Sequence, residues 1–255
     1  MKIDSHIHLN NNKFKNISLS FSSLSSELEK SKIDRAVVIH MIHEPWSLTE
    51  FSKEVNKYEK FLAIINIDPS KPDALDLTKT AIQEYGYKGV KLHPRLQQYD
   101  LNDKRVYQYI KSIAQFNIPI IIDAFPDGTY LMNGFSPLKY ANLAKAFPNV
   151  NFVWAHMGGF MAIEFMLLTK RLKNVYMDIS YSFLYFKDSS LLKDFIYCMK
   201  SLKFERVFYG SDYPDRSIHE TLSLTEELLN KFDINAKDLN KLFFENAKKF
   251  WFNDK

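Results

Sequence analysis

The opening stretch MKIDSHIHLN sets two imidazoles, His6 and His8, two positions apart. In a strand, side chains at i and i+2 leave the same face, so both rings would converge; in a helix they would diverge. Two converging imidazoles begin a metal site, but a catalytic zinc takes three protein ligands and keeps a position open for water. The missing ligands must come from elsewhere. Asp212, in YGSDYP, ends an apolar run, where a carboxylate is costly unless it is paired or bound to a cation; alternatively it caps the next helix. His156, in WAHMGG, also ends an apolar run, and the two glycines leave its ring room and let the backbone approach a ligand. In KLHPRL, Arg95 suits bidentate capture of a carboxylate, with a surface salt bridge as the alternative. His40, His43 and His219 read as hydrogen-bonded core residues.

These residues need elements to position them. Short apolar runs rich in β-branched residues recur at 2–8, 35–43, 61–69, 87–94, 118–125, 151–158, 175–180 and 206–214. Between them lie stretches such as SLTEFSKEVNKYEKF and SPLKYANLAKAF, with apolar spacing of three and four and Ser or Asp at their starts. Eight such units predict an α/β fold, a (β/α)₈ barrel, rather than a doubly wound open sheet. The chemistry-bearing residues decide between the two. His6, His8, His93, Asp123, His156 and Asp212 fall near the C-terminal ends of five different strands, and only a closed barrel gathers all those ends at one mouth. NAKDLNKLFFENAKKFW reads as a terminal helix packed outside the barrel, and no linker divides residues 1–255, so one domain is expected.

Composition narrows the function classes. The chain of 255 residues is 46% hydrophobic with 21 phenylalanines, ample for a core and unlike a disordered chain. Its net charge of +4 is dispersed among acidic residues on helical stretches, so no nucleic-acid partner is expected. The single cysteine, Cys198, excludes an intrachain disulfide and fits a reducing compartment. No basic-then-apolar leader is seen, and no run nears the roughly 20 apolar residues that span a bilayer. A cytoplasmic protein acting on a small molecule is expected.

The ordered set DSHIH, GVKLHP, WAHMGG, NVYMDIS and YGSDYP on strands one, four, six, seven and eight, closed by FFENAKKFW, resembles the amidohydrolase superfamily. Within it the chain is similar to the branch that includes aminocarboxymuconate-semialdehyde decarboxylase, the resorcylate-type decarboxylases and pyrone-dicarboxylate lactonase. The resemblance implies that His6, His8 and Asp212 bind one divalent metal. Asp212 would also exchange protons with the metal's water, and His156 would polarise substrate or shuttle a proton. In many relatives strand five ends in a histidine ligand, whereas IPIIIDAF offers Asp123, so the expected ligand set is His6, His8, Asp123 and Asp212. Zinc remains the first expectation, and the extra carboxylate brings manganese or magnesium closer. It also fits loss of the metal, as in the metal-independent lactonase relatives. The implied activity is hydrolysis of an amide, ester or lactone bond in a small carboxylate-bearing molecule. The alternatives are metal-dependent, non-oxidative decarboxylation of an aromatic or enol acid, and a catalytically degenerate binding protein. His93 and Arg95 would contact substrate. Tyr181, with Phe183, Tyr185 and Phe186 in YSFLYF, would border the mouth, lining a cyclic substrate or forming a homodimer contact.

Overall fold

The computed structural model describes residues 1–252. Its strands are β1 (Ile3–His8), β2 (Arg35–His40), β3 (Phe61–Ile67), β4 (Val90–Leu92), β5 (Ile120–Ile122), β6 (Phe152–Trp154), β7 (Val175–Asp178) and β8 (Val207–Phe208). Consecutive strands pair in parallel, in chain order. The chain after β8 then returns to β1: the Ser5 N–H donates to Tyr209 O (2.9 Å), that of Asp212 to His6 O (2.9 Å) and that of His8 to Tyr213 O (2.8 Å). The eight predicted runs thus form a (β/α)₈ barrel. Each strand is shorter than its run, because the last residues turn out of the ladder to line the mouth.

The runs are apolar throughout because each strand is covered on both faces. In β5, Ile121 points into the barrel while Ile120 and Ile122 meet the helices; in β6, Val153 points in and Phe152 and Trp154 point out. Ile3, Val37, Ile39, Leu62, Ile64 and Phe208 complete a filled interior, so only the mouth is open to chemistry. Ser47 and Glu50 cap helix Leu48–Val55 reciprocally, and Ser136 caps Pro137–Ala146. The chain is helical from Ala236 to Trp251, outside the sheet as expected, and Ala247 and Trp251 pack onto the interior cluster. Among the described residues, no helix is long and apolar enough to cross a membrane.

β1 carries the one irregularity that matters most. Its register against β2 shifts between Asp4 and Ile7, with one extra residue on β1. Ile3 therefore lies in the barrel interior while Ile7, of the same parity, packs in the outer layer. Without this bulge an inward Ile3 would send His6 and His8 outward. Bulges re-aim side chains in this way beside active sites.

Of the three histidines expected in the core, only His40 is there; His43 and His219 are exposed. His43 sits on the loop after β2 and His219 on the outer face of helix Ile218–Lys231, where nothing covers them. His40 Nδ1 accepts from the Tyr87 hydroxyl (2.7 Å), its Nε2–H donates to Trp46 O (3.1 Å), and its ring stacks on Phe51 at 4.1 Å. Burial lowers its pKa from 6.5 to about 4. Because the folded value lies below the unfolded one, the unfolded chain binds the extra proton. Stability is therefore full above about pH 6.5 and falls as pH drops toward 4, by about 3 kcal/mol. Urea unfolding of the parent and His40→Gln across this window is expected to show a shallower pH slope in the variant. Identical slopes would remove His40 as the cause.

Candidate active site

At the barrel mouth, His6 Nε2 and His8 Nε2 each lie 3.5 Å from Asp212 Oδ1. One ligand atom from each of the three falls within 4.8 Å of the others. Two imidazole nitrogens and a carboxylate oxygen at this separation fit a divalent cation. They line a cavity of about 280 Å³ that also takes in Glu44, Lys91, His93, Arg95 and His156. Burial, then Lys91, lowers the His6 pKa to about 4, so the ring is neutral, the form that ligates a metal. Although burial opposes it, a hydrogen bond to His8 and the nearness of His156 and His6 hold the Asp212 carboxyl well below the usual range.

The residue that orients His6 is Asp178, at the end of β7, to which the sequence reading gave no role. Its Oδ2 accepts from His6 Nδ1–H at 3.0 Å, which fixes the tautomer and turns Nε2 toward the mouth. Its Oδ1 accepts the backbone N–H groups of His156 (2.9 Å) and Ser180 (3.1 Å) and the Ser180 hydroxyl. A carboxylate closing the apolar run of β7 carried the same cost signal that singled out Asp212. Asp4 works similarly on the backbone: its Oδ1 accepts from the N–H of His6 (3.1 Å) and of Ser211 (3.0 Å), clamping the bulge to the end of β8.

A wall of basic side chains comes from β4 and the turn after it. Lys91, fully buried, places Nζ 3.3 Å from His6 Nε2, and burial lowers its pKa, which eases the approach of another cation. His93 caps the short helix Pro94–Gln97 through Nδ1, which accepts from Leu96 N–H at 3.4 Å. Its pKa is lowered to about 3, chiefly by burial, so Nε2 carries the ring proton. Arg95 lines the cavity, but its fork already holds Asp123, with Nε and Nη2 both at 3.4 Å, and Nη1 reaches Asp127 at 3.1 Å. Asp123 sits among Arg95, His93 (3.7 Å) and His156 Nε2 (3.6 Å), not in the cluster of His6, His8 and Asp212. Against the burial that would raise it, His93, His156, Arg95 and Lys91 hold its carboxyl well below the usual range.

His156 and Asp212 reach the mouth through left-handed backbone, with φ of 61° and 56°. Such non-glycine conformations cost about 1–3 kcal/mol and cluster at functional sites. His156 is held by Nδ1–H to Ser180 O at 3.1 Å. The glycines after it serve packing rather than access for a ligand: a Cβ on Gly158 (φ +76°) would lie 2.1 Å from the Phe165 ring, and one on Gly159 would lie 2.6 Å from Pro126. Tyr181 does not line this cavity. It stacks on Tyr185 (5.2 Å), meets Phe125 edge-on (5.0 Å) and borders a neighbouring hollow with Asp215 and Arg216. Phe183 is buried, whereas Tyr185 is exposed.

Residues 46–252 match the amidohydrolase family model. The match includes His93, His156, Asp178 and Asp212 and begins after His6 and His8. No curated protein matches the sequence. The structure is similar to an uncharacterised TIM-barrel protein from Bordetella bronchiseptica (18% identity, TM-score 0.81, covering 98% of this chain and 97% of that one). It is also similar to a probable 2-pyrone-4,6-dicarboxylic acid hydrolase from Acinetobacter baumannii with citric acid bound (13%, 0.69, 98% and 98%). A third is 5-carboxyvanillate decarboxylase from Novosphingobium aromaticivorans, complexed with manganese and 4-hydroxy-3-methoxy-5-nitrobenzoic acid (14%, 0.65, 98% and 95%). At these identities the likeness is one of fold.

Proposed function

The chain belongs to the amidohydrolase family, and from that premise we propose that it is a metal-dependent hydrolase cleaving an amide, ester or lactone bond of a small carboxylate-bearing molecule. The observation that carries this reading is the meeting of His6 Nε2, His8 Nε2 and Asp212 Oδ1 at an open cavity. His6, His8 and Asp212 would hold a divalent cation, zinc first and manganese or magnesium next, which when bound would supply a Lewis acid and lower the pKa of water. Asp212, kept ionised by its histidines, accepts a proton at the mouth and returns it to the leaving group. His156 Nε2, when protonated, donates to the oxygen on which charge develops. His93 Nε2–H and the unengaged donors of Arg95 hold the substrate. In this reading Asp123 steadies Arg95 and His156 rather than serving as a fourth ligand. Cys198 fits a reducing compartment such as the cytoplasm.

Non-oxidative decarboxylation is the second reading, favoured by the Lys91–His93–Arg95 wall, which suits a carboxylate next to the metal position. Isotope placement separates the two. Turnover in ¹⁸O-water is expected to put label in a new carboxylate. Release of CO₂ with deuterium from D₂O on carbon, and no oxygen incorporation, would replace the hydrolase with the decarboxylase.

A further inference from the structure

Glu44 stands on the cavity wall supplied by the loop after β2 and has no part in the chemistry above. The residue is only 8% exposed. One oxygen, Oε2, accepts the Met41 N–H at 3.2 Å; Oε1 has no hydrogen-bond partner among the described residues. No cation offsets its burial, although Lys91 and His8 line the same cavity. A carboxyl buried with one backbone hydrogen bond and no cation costs stability. Its free oxygen is not sealed from solvent, so a donor that enters the cavity can reach it.

We propose that Glu44 is a specificity-determining residue that accepts a hydrogen bond from a hydroxyl or amino group of the substrate, so that the cavity selects hydroxy- or amino-substituted carboxylates. This rests on the reading of the cavity as the substrate site. Arg95 and His93, on the β4 side, engage the carboxylate, and Glu44, on the β2 side, engages the donor. Burial pushes the Glu44 carboxyl up to about 8, and a donor bound to its free oxygen would bring it back down. A site built around a substrate O–H or N–H rejects the analogue lacking it strongly, because its own buried group is then left unpaired.

Calorimetric binding of benzoate, 3- and 4-hydroxybenzoate and 3- and 4-aminobenzoate to the zinc-loaded protein tests this. At least one donor-bearing acid is expected to bind the parent about tenfold or more tighter than benzoate. That advantage disappears in Glu44→Leu and shrinks in Glu44→Gln, which keeps an oxygen for the Met41 N–H, while benzoate binding is unchanged in both. Thermal unfolding adds a readout that a structural glutamate would not give: Glu44→Gln melts no lower than the parent, because no fold contact is lost. A parent that binds no probe, shows no preference, or keeps its preference undiminished in both variants would overturn the proposal. The hydrolase reading stands or falls separately, on oxygen label.

Discussion

Asp212→Asn lowers kcat about a thousandfold and leaves most of the metal in place. The side chain keeps its shape, and its amide oxygen can still sit 3.5 Å from His6 Nε2 and His8 Nε2. What disappears is a group able to take and return a proton. Positioned acid–base groups contribute about 10²- to 10⁴-fold, and Asp123, a further carboxylate at the mouth, is engaged by Arg95. The measurement is kcat on the ester, amide or lactone the parent turns over, beside elemental analysis of the same preparation. A variant retaining more than about a tenth of parental kcat removes Asp212 as the base. Metal lost together with activity would make it chiefly a ligand.

Asp178→Ala is expected to weaken metal binding about 10- to 100-fold although Asp178 is placed behind the metal position. Truncation frees His6 Nδ1–H, the N–H groups of His156 and Ser180, and the Ser180 hydroxyl, all in a region closed to water. His6 then loses the bond that fixes its tautomer, and its Nε2 no longer faces the mouth in one orientation. The unpaired donors also cost stability, about 3 kcal/mol. Asp178→Asn tests the orientation with less damage, because it keeps an acceptor oxygen and the volume. Asp123→Asn is the control: it loosens Arg95 and raises KM but leaves metal affinity unchanged. Chelator competition on the three variants gives the comparison. Equal affinity in Asp178→Ala and the parent would mean His6 needs no such support; metal loss in Asp123→Asn would return Asp123 to the ligand set.

The eight strands were legible because parallel strands covered on both faces must be apolar along their length, a demand that Ile120, Ile121 and Ile122 meet without any distant partner. The convergence of His6 and His8 was legible too, since period-two geometry is local. Which way they face was not. That depends on one extra residue in β1 relative to β2, and a bulge exists only where two strands pair. The same limit applies to the partners of the site residues. Asp178 and His6 are 172 positions apart, so the bond between them belongs to no local pattern. Arg95 read as a carboxylate clamp or a salt-bridge partner, and the acids that engage it, Asp123 and Asp127, arrive from the next strand's end only when the barrel closes. Glycines 158 and 159 read as room for a ligand until the fold set Phe165 and Pro126 against them. Residue type and strand period, being properties of neighbours in the chain, determined the barrel and the chemical character of its mouth. Ligand orientation, charge partners and the free oxygen of Glu44 were decided by contacts between segments that meet only when the barrel closes.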